Sequence, residues 1–446
     1  MVAVILLPAI WNGFPFVYSD TGGYLLRPFT HDFDMGRSAF YGAFLATGIA
    51  VDFWSNAIIQ ALLSAWVITL VLRSVGMERP WIAVGFVGAL CVGTSLPWYA
   101  GDLEPDVFLP LSVLAFYLTA FAPSKLRRWE TAALVAVICC AIAFHMSIYA
   151  VLLLLFAFCA VLWTVAARLA LPRPRLIVPA LSLALGAALA LASNYLIVGT
   201  ARFTPGGTIF LFGRLLEDGF VTTYLDRTCP DPSLSLCQYR DALPTQSDDW
   251  LWGTETPLAK LGGWRAFTPE ANRIIIATVR EQPAAQIVAA LKDTVRQIGT
   301  LATGDGFGSN DNWHTAWVFK QYAPDTVPSF DASAQQRDAI DFHFINMLHV
   351  PLALGATFLL PVLVVFCWRR RAVTTPLGLT VFVALMANAA VCATFSVVAD
   401  RYQSRIVCIA VLAAALAGQD LLKEQLKSHR GRIIAAGESP SDYGVP

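Results

Sequence analysis

Long apolar blocks alternate along the chain with short polar connectors, and most blocks have the length of a bilayer crossing, about 20 residues. Candidate spans fall near 1–17, 54–75, 81–100, 107–122, 131–146, 149–167, 176–198, 347–367, 375–398 and 405–421. In lipid each backbone polar group must be satisfied within its own segment, so these spans are predicted to be helices. The run from Thr131 to Leu171 is too long for one crossing, and His145-Met146-Ser147 at its middle predicts a tight turn between two helices. The expected fold class is an all-α polytopic membrane protein with about ten transmembrane helices. It divides into an N-terminal transmembrane module with acidic outer loops (1–198), a large loop domain (199–346), C-terminal transmembrane helices (347–422) and a tail (423–446).

Charge sets the expected orientation. Basic residues cluster at Arg73 and Arg79, at Lys125, Arg127 and Arg128, at Arg168, Arg173 and Arg175, at Arg369, Arg370 and Arg371, and at Lys423, Lys427, Arg430 and Arg432. With ten spans every cluster falls on one side, which the positive-inside rule makes cytoplasmic. Both termini are then inside, and connectors 18–53 and 199–346 face the periplasm of a bacterial inner membrane. Met1–Val17 reads as a retained helix, because it lacks the basic start and small-residue cleavage site of a signal peptide.

Composition narrows the function classes. Of 446 residues, 57% are hydrophobic and 14% charged, with mean hydropathy +0.59; soluble domains carry about 25% charged residues. Thirty-one Lys and Arg balance thirty-one Asp and Glu, so a generally basic nucleic-acid binder is unsupported. Cys91, Cys139, Cys140, Cys159, Cys367, Cys392 and Cys408 lie in apolar spans, where a thiol acts as a small hydrophobe. Cys229 and Cys237, in CPDPSLSLC of the large connector, are expected to pair in an oxidising compartment, two free loop thiols being the alternative. No Cys-x-x-Cys or His–Cys set suggests zinc.

The outer connectors carry the candidate chemistry. Asp20, Asp32, Asp34, Asp102, Glu104, Asp106, His145, Asp400, Arg401 and Arg405 all fall at outer ends of spans. Singly, each reads as a solvated cap; five connectors bringing ionisable groups to one face is the pattern of a cleft lined with acids and bases. Acids within spans are essentially absent, which argues against an ion-coupled transporter. The apolar stretch Arg37–Ile49 is too short to cross and predicts an interfacial helix. GDGFGSNDNW (304–313) is glycine-rich but lacks a P-loop Lys-Ser/Thr, so it reads as a turn. His314, His343 and His349 have no ligand spacing.

Tyr18-Ser19-Asp20-Thr21 after the first span resembles the first-loop acidic motif of the GT-C glycosyltransferases, polytopic enzymes that use polyprenyl-phosphate-linked sugars. RSAFYGAFL, with Gln60 in the following IIQALLSAWVITLVLRSVG, resembles their interfacial helix and second span. GDLEPDVFLPLSVLAFYLTA is similar to their second outer loop, and RYQSRIVCIAVLA to their late arginine-containing segment. The resemblance covers roughly 1–200 and 347–421. The chain departs from the pattern in having no WWD motif in 199–346, and Glu104-Pro105-Asp106 in place of a plain DxD. Its large outer segment resembles that of a bacterial membrane-protein group of unassigned function.

The resemblance implies transfer of a sugar from a lipid-linked donor to a lipid or glycan acceptor at the outer membrane face, among membrane lipids. Such transfer needs a base for the acceptor proton and cations for the departing phosphate. Asp20 is the candidate base, with a plain helix cap as its alternative role. Arg401 or Arg405, with Arg37 next in line, would hold the phosphate through the guanidinium fork. Glu104 or Asp106 would orient the acceptor or hold a divalent cation, the one cofactor left open. His145 would donate to the phosphate, or is a satisfied turn histidine. Competing classes are a transporter or flippase of lipid-linked saccharides, an O-antigen ligase-like protein, and a non-catalytic envelope assembly protein. An enzyme should gather Asp20, the 102–106 acids and Arg401 in one cleft; a scaffold need not.

Overall fold

A computed structural model describes residues 1–31, 37–204, 206–253 and 255–437, with backbone alone at 310, 311, 424 and 427–437. Asp32, Asp34 and residues 438–446 therefore lie outside the described residues, as do the side chains of Lys427, Arg430 and Arg432. Regular structure among the described residues is helical, and the nearest approach to a sheet is one bridge between Phe16 and Asp102. Among the described residues six helices are long and apolar enough to cross a membrane: Trp54–Ser74, Met146–Val165, Ile177–Val198, Phe342–Arg369, Thr375–Phe395 and the Asp400–Lys423 part of the last helix. The fold is that of an all-helical, multi-pass membrane protein.

The other expected spans are shorter or broken. Arg128–Phe144 has 17 residues, and Pro80–Gly93 and Phe108–Phe121 have 14 each. At 1.5 Å per residue, 14 residues cover about 21 Å, less than the hydrocarbon layer. The expected 81–100 helix stops at Gly93 and resumes at Leu96, since the Pro97 ring would collide with the carbonyl four residues earlier. Residues 1–17 are not one helix either. Val2–Ile5 and Leu7–Asn12 are short pieces, Gly13 ends the second with a left-handed φ of 83°, and the chain then runs out to Tyr18. The turn at His145 is where the sequence put it, between Phe144 and Met146.

Connectors gather alternately at two ends of the bundle. At one end Arg73 pairs with Glu130 (2.5 Å) and donates to the Lys125 carbonyl (2.9 Å). There too the Arg175 N–H reaches the Ala120 carbonyl, and the Trp368 indole N–H reaches the Leu169 carbonyl. The basic connectors 73–79, 122–128, 166–176 and 369–374 thus share this end. Residues 14–31, 101–107, 145 and 396–401 share the other. The expected interfacial helix is Ala39–Ala46, capped by the Ser38 hydroxyl, and it is packed inward. Its Gly42 lies against the Tyr24 carbonyl, where a Cβ would come within 2.0 Å of the oxygen.

The helices between Gly207 and Glu281 carry a core of their own around Phe212, Trp250 and Phe267. Cys229 and Cys237 are disulfide-bonded on it, with Cα atoms 5.6 Å apart. Gly263–Glu281 and Pro283–Gly299, close to the stretches expected near 269–281 and 283–302, meet at a 99° bend. Pro283–Gly299 packs along Thr375–Phe395 and exposes Ile287, Val288, Leu291 and Val295 on its far side.

Candidate functional site

Two loops and one helix start build the site. The first loop, Phe14 to Tyr18, is extended and needs partners for its backbone. Gln335 supplies them: its side-chain oxygen accepts the Val17 N–H (3.1 Å) and its amide donates to the Val17 carbonyl (2.7 Å). The second loop is fixed by Gln60, which donates to the carbonyls of Ala100 (3.1 Å) and Asp102 (2.7 Å) and accepts from the Tyr41 hydroxyl. The bridge joins the loops, with the Phe16 N–H on the Gly101 carbonyl and the Leu103 N–H on the Phe16 carbonyl. Gly22 lets the first loop meet the 313–322 helix, for its N–H donates to the Thr315 hydroxyl and a Cβ there would lie 2.7 Å from the Thr315 Cα.

Asp20 sits at the N-cap position of Thr21–Thr30, yet its side chain makes no capping hydrogen bond. A capping aspartate accepts an N–H from the first helical turn; this one accepts from Arg37 on one oxygen and from Arg401 Nη1 (3.4 Å) on the other. Capping is not what holds it. The neighbouring Thr21 hydroxyl takes the Tyr18 N–H and donates to Glu104 (3.0 Å), linking the two loops beside Asp20.

Residues 399–405, expected as a connector, are mostly helix, because the last helix begins at Asp400. That places Arg401 and Arg405 one turn apart on one face. Arg401 donates through Nε to Asp106 (2.6 Å) and through Nη2 to Glu104 (2.9 Å). Its guanidinium lies 3.8 Å from the Tyr18 ring centroid, and its backbone N–H donates to Asp305 (3.0 Å). Arg405 takes the other Asp106 oxygen (2.8 Å) and donates to Asn388 (3.2 Å). Arg37 stacks over Trp252, 5.2 Å from its centroid, and borders a cavity of about 20 Å³, room for one water, beside Ser38, Phe144 and Asn194.

Burial sorts these groups. The side chains of Glu104 and Asp106 are 0% exposed and that of Arg405 1%, against 13% for Arg37 and 23% for Asp20. Asp20 is thus the carboxylate of this cluster that meets solvent. Burial alone would raise Asp106, but Arg401 and Arg405 outweigh it and hold it ionised. Burial is likewise outweighed at Asp20, by Arg37 and Arg401, so its carboxyl stays below the ordinary range. At Glu104 burial wins against Arg401, pushing the carboxyl up to about 8. Asp102 is pushed well above its ordinary value by burial and by Glu104 beside it.

The structure therefore brings Asp20, Arg37, Glu104, Asp106, Arg401 and Arg405 into one hydrogen-bonded cluster. His145 stands at its edge as a turn residue: its Nδ1 accepts the Ser147 N–H (3.2 Å) and meets the Ser147 hydroxyl (2.7 Å). Burial and Arg405 push it down to about 3, so it is neutral. The 304–313 segment begins as a turn and runs into the short 3-10 helix Ser309–Asn312, but it contributes Asp305, and it presses Gly306 against Tyr18. His349 is held by Thr303 and the Val92 carbonyl. Among the described residues no group of three His, Cys, Asp or Glu could hold a metal ion. Sequence reasoning missed Tyr18 as a stacking partner, Asp305, Trp252 and Asn388. Tyr18 and Asp305 stand inside motifs already singled out, whereas Trp252 and Asn388 carry no signal.

Comparison with family models, with curated proteins and with solved structures finds no match.

Proposed function

We propose that the chain is a GT-C-type glycosyltransferase that moves a sugar from a polyprenyl-phosphate donor to an envelope acceptor. The observation that carries this reading is the joining of Asp20 to Glu104, Asp106 and Arg401 in one network whose most accessible carboxylate is the half-buried Asp20. In this reading Asp20 takes the proton of an acceptor hydroxyl as that oxygen attacks the anomeric carbon. The bond from that carbon to the phosphate oxygen breaks, and the configuration inverts. Asp20 is ionised and so able to accept a proton. Arg37, at the edge of the cluster on Trp252, is the arginine best placed to turn to the phosphate. Its departure would remove a positive charge from Asp20 and raise its basicity as the donor binds. Arg401 and Arg405, engaged by Asp106, position the acids.

The same proposal has ten crossings, the 199–346 segment in the periplasm, and both termini in the cytoplasm of an inner membrane. It rests on the basic connectors sharing one end. The decisive experiment is Asp20→Asn in purified protein supplied with polyprenyl-phosphate sugars and envelope acceptors. An amide cannot take the proton, so turnover should fall by about 10²–10⁴-fold in a variant that still expresses and folds. Undiminished turnover would remove Asp20 as the base. Mass spectrometry of envelope glycans in a deletion strain tests the reaction class itself, by the sugar that goes missing.

A further inference from the structure

At the end opposite the carboxylate–arginine cluster, Met146–Val165, Phe342–Arg369 and Thr375–Phe395 leave a cavity of about 340 Å³. That is within the range of about 300–1,000 Å³ typical of small-molecule sites. Phe158, Leu162, Leu171, Val364, Trp368 and Leu379 line it, and the wall presents no polar surface. The Thr375 hydroxyl is turned away onto the Ala372 carbonyl (2.9 Å), and the Trp368 indole N–H is held by the Leu169 carbonyl (2.7 Å). A void with such walls stays dry, so its natural filling is hydrocarbon. Val161 and Val365 on its rim are exposed, so it opens sideways from the helical surface.

The mouth is charged. Arg168 precedes the lining residue Leu169, and Arg369, Arg370 and Arg371 follow Trp368 directly. All four are exposed. An apolar slot between spanning helices, with four exposed arginines next in the chain to its lining residues Leu169 and Trp368, fits a molecule with a hydrocarbon chain and an anionic head. We propose that this cavity seats an acyl chain of an anionic glycerophospholipid, with the lipid phosphate on Arg168 and Arg369–Arg371. The site is separate from the carboxylate–arginine cluster and does not depend on the glycosyltransferase reading.

Native mass spectrometry of the detergent-purified full chain, titrated with phosphatidylglycerol or phosphatidylcholine, tests it. One phosphatidylglycerol should be retained per chain, at concentrations at least tenfold below those needed for phosphatidylcholine. Equal retention of the two lipids by the wild-type chain would overturn the proposal without any variant. Neutralising Arg369, Arg370 and Arg371 together to Gln should weaken phosphatidylglycerol by about fivefold per charge and leave phosphatidylcholine unchanged. Leu379→Trp, which intrudes into the slot and keeps every charge, should weaken the specific adduct. If Leu379→Trp retains phosphatidylglycerol as the wild type does, the lipid sits on surface charge alone and the cavity is not its seat.

Discussion

Arg401 shows how much a single side chain holds at this site. It touches Asp20, Glu104, Asp106 and the Tyr18 ring, so Arg401→Ala leaves Asp20 to Arg37 and Asp106 to Arg405 but takes the guanidinium away from buried Glu104. Breaking a buried pair in this way costs about 3–5 kcal/mol, which thermal unfolding of the purified chain should register. Arg401→Lys keeps the charge but cannot serve Glu104 and Asp106 with a fork, so its unfolding midpoint should fall between wild type and the alanine variant. Glu104 sets a pH dependence. Its carboxyl is raised in the folded chain, to about 8, so its contribution to stability is complete below the ordinary glutamate value and is lost as pH rises through 8. Asp20 and Asp106 are depressed, and their contribution is lost only at acid pH. Glu104→Gln should flatten the decline of the melting temperature between the ordinary glutamate range and about pH 8, and leave the acid limb in place. Asp20, Glu104, Asp106, Arg401 and Arg405 were legible because ionisable groups at span ends are few in so apolar a chain. Their pairing was not legible, because it joins segments hundreds of residues apart, and no local pattern encodes that Asp106 lies between two arginines.

At the scale of elements, apolar length found most helices, and proline decided where it failed. The 81–100 block reads as continuous by hydropathy alone; Pro97 breaks it, and the resulting turn at Thr94–Ser95 lets Tyr99 reach Ser404 on the last helix (2.5 Å). The last helix starts earlier than its apolar run because Asp400 and Arg401 are polar yet helical, their side chains being satisfied by the Ala302 N–H and by the acids. Glycine-rich 304–313 read as a turn, and what the sequence could not show is the ring beneath it. A Cβ on Gly306 would fall 1.5 Å from the Tyr18 ring, and its φ of 77° suits glycine. Gly306→Ala should therefore push Tyr18 from beneath Arg401 and lower the melting temperature by more than an alanine at Gly85, which meets open space. The disulfide closes a short loop, its cysteines lying 8 apart in sequence number, so replacing both by Ser should cost toward the low end of about 2–4 kcal/mol. The loss should appear as earlier unfolding of the Trp250 core under denaturant.

For the whole molecule, the shared end of the basic connectors makes the orientation testable. With the native cysteines removed, Asp241→Cys, at a side chain 97% exposed, should react with an impermeant maleimide added to intact spheroplasts. Arg127→Cys should react only after the membrane is opened. Protection of position 241 would reverse the proposed orientation. The cluster at the opposite end has a consequence for biogenesis. Glu104 and Asp106 emerge early from the ribosome, whereas their partners Arg401 and Arg405 belong to the last hydrophobic segment. At about 5–20 residues per second the acids wait on the order of tens of seconds for their cations. Until then the early helices cannot close over those carboxylates while they are charged, because an unpaired buried ion is too costly. The nascent chain must therefore stay open, or keep the acids protonated, until its final helix is inserted. A product truncated before Asp400 should be rapidly degraded, and co-expressing residues 375–446 as a separate insert should restore its lifetime in a pulse–chase measurement.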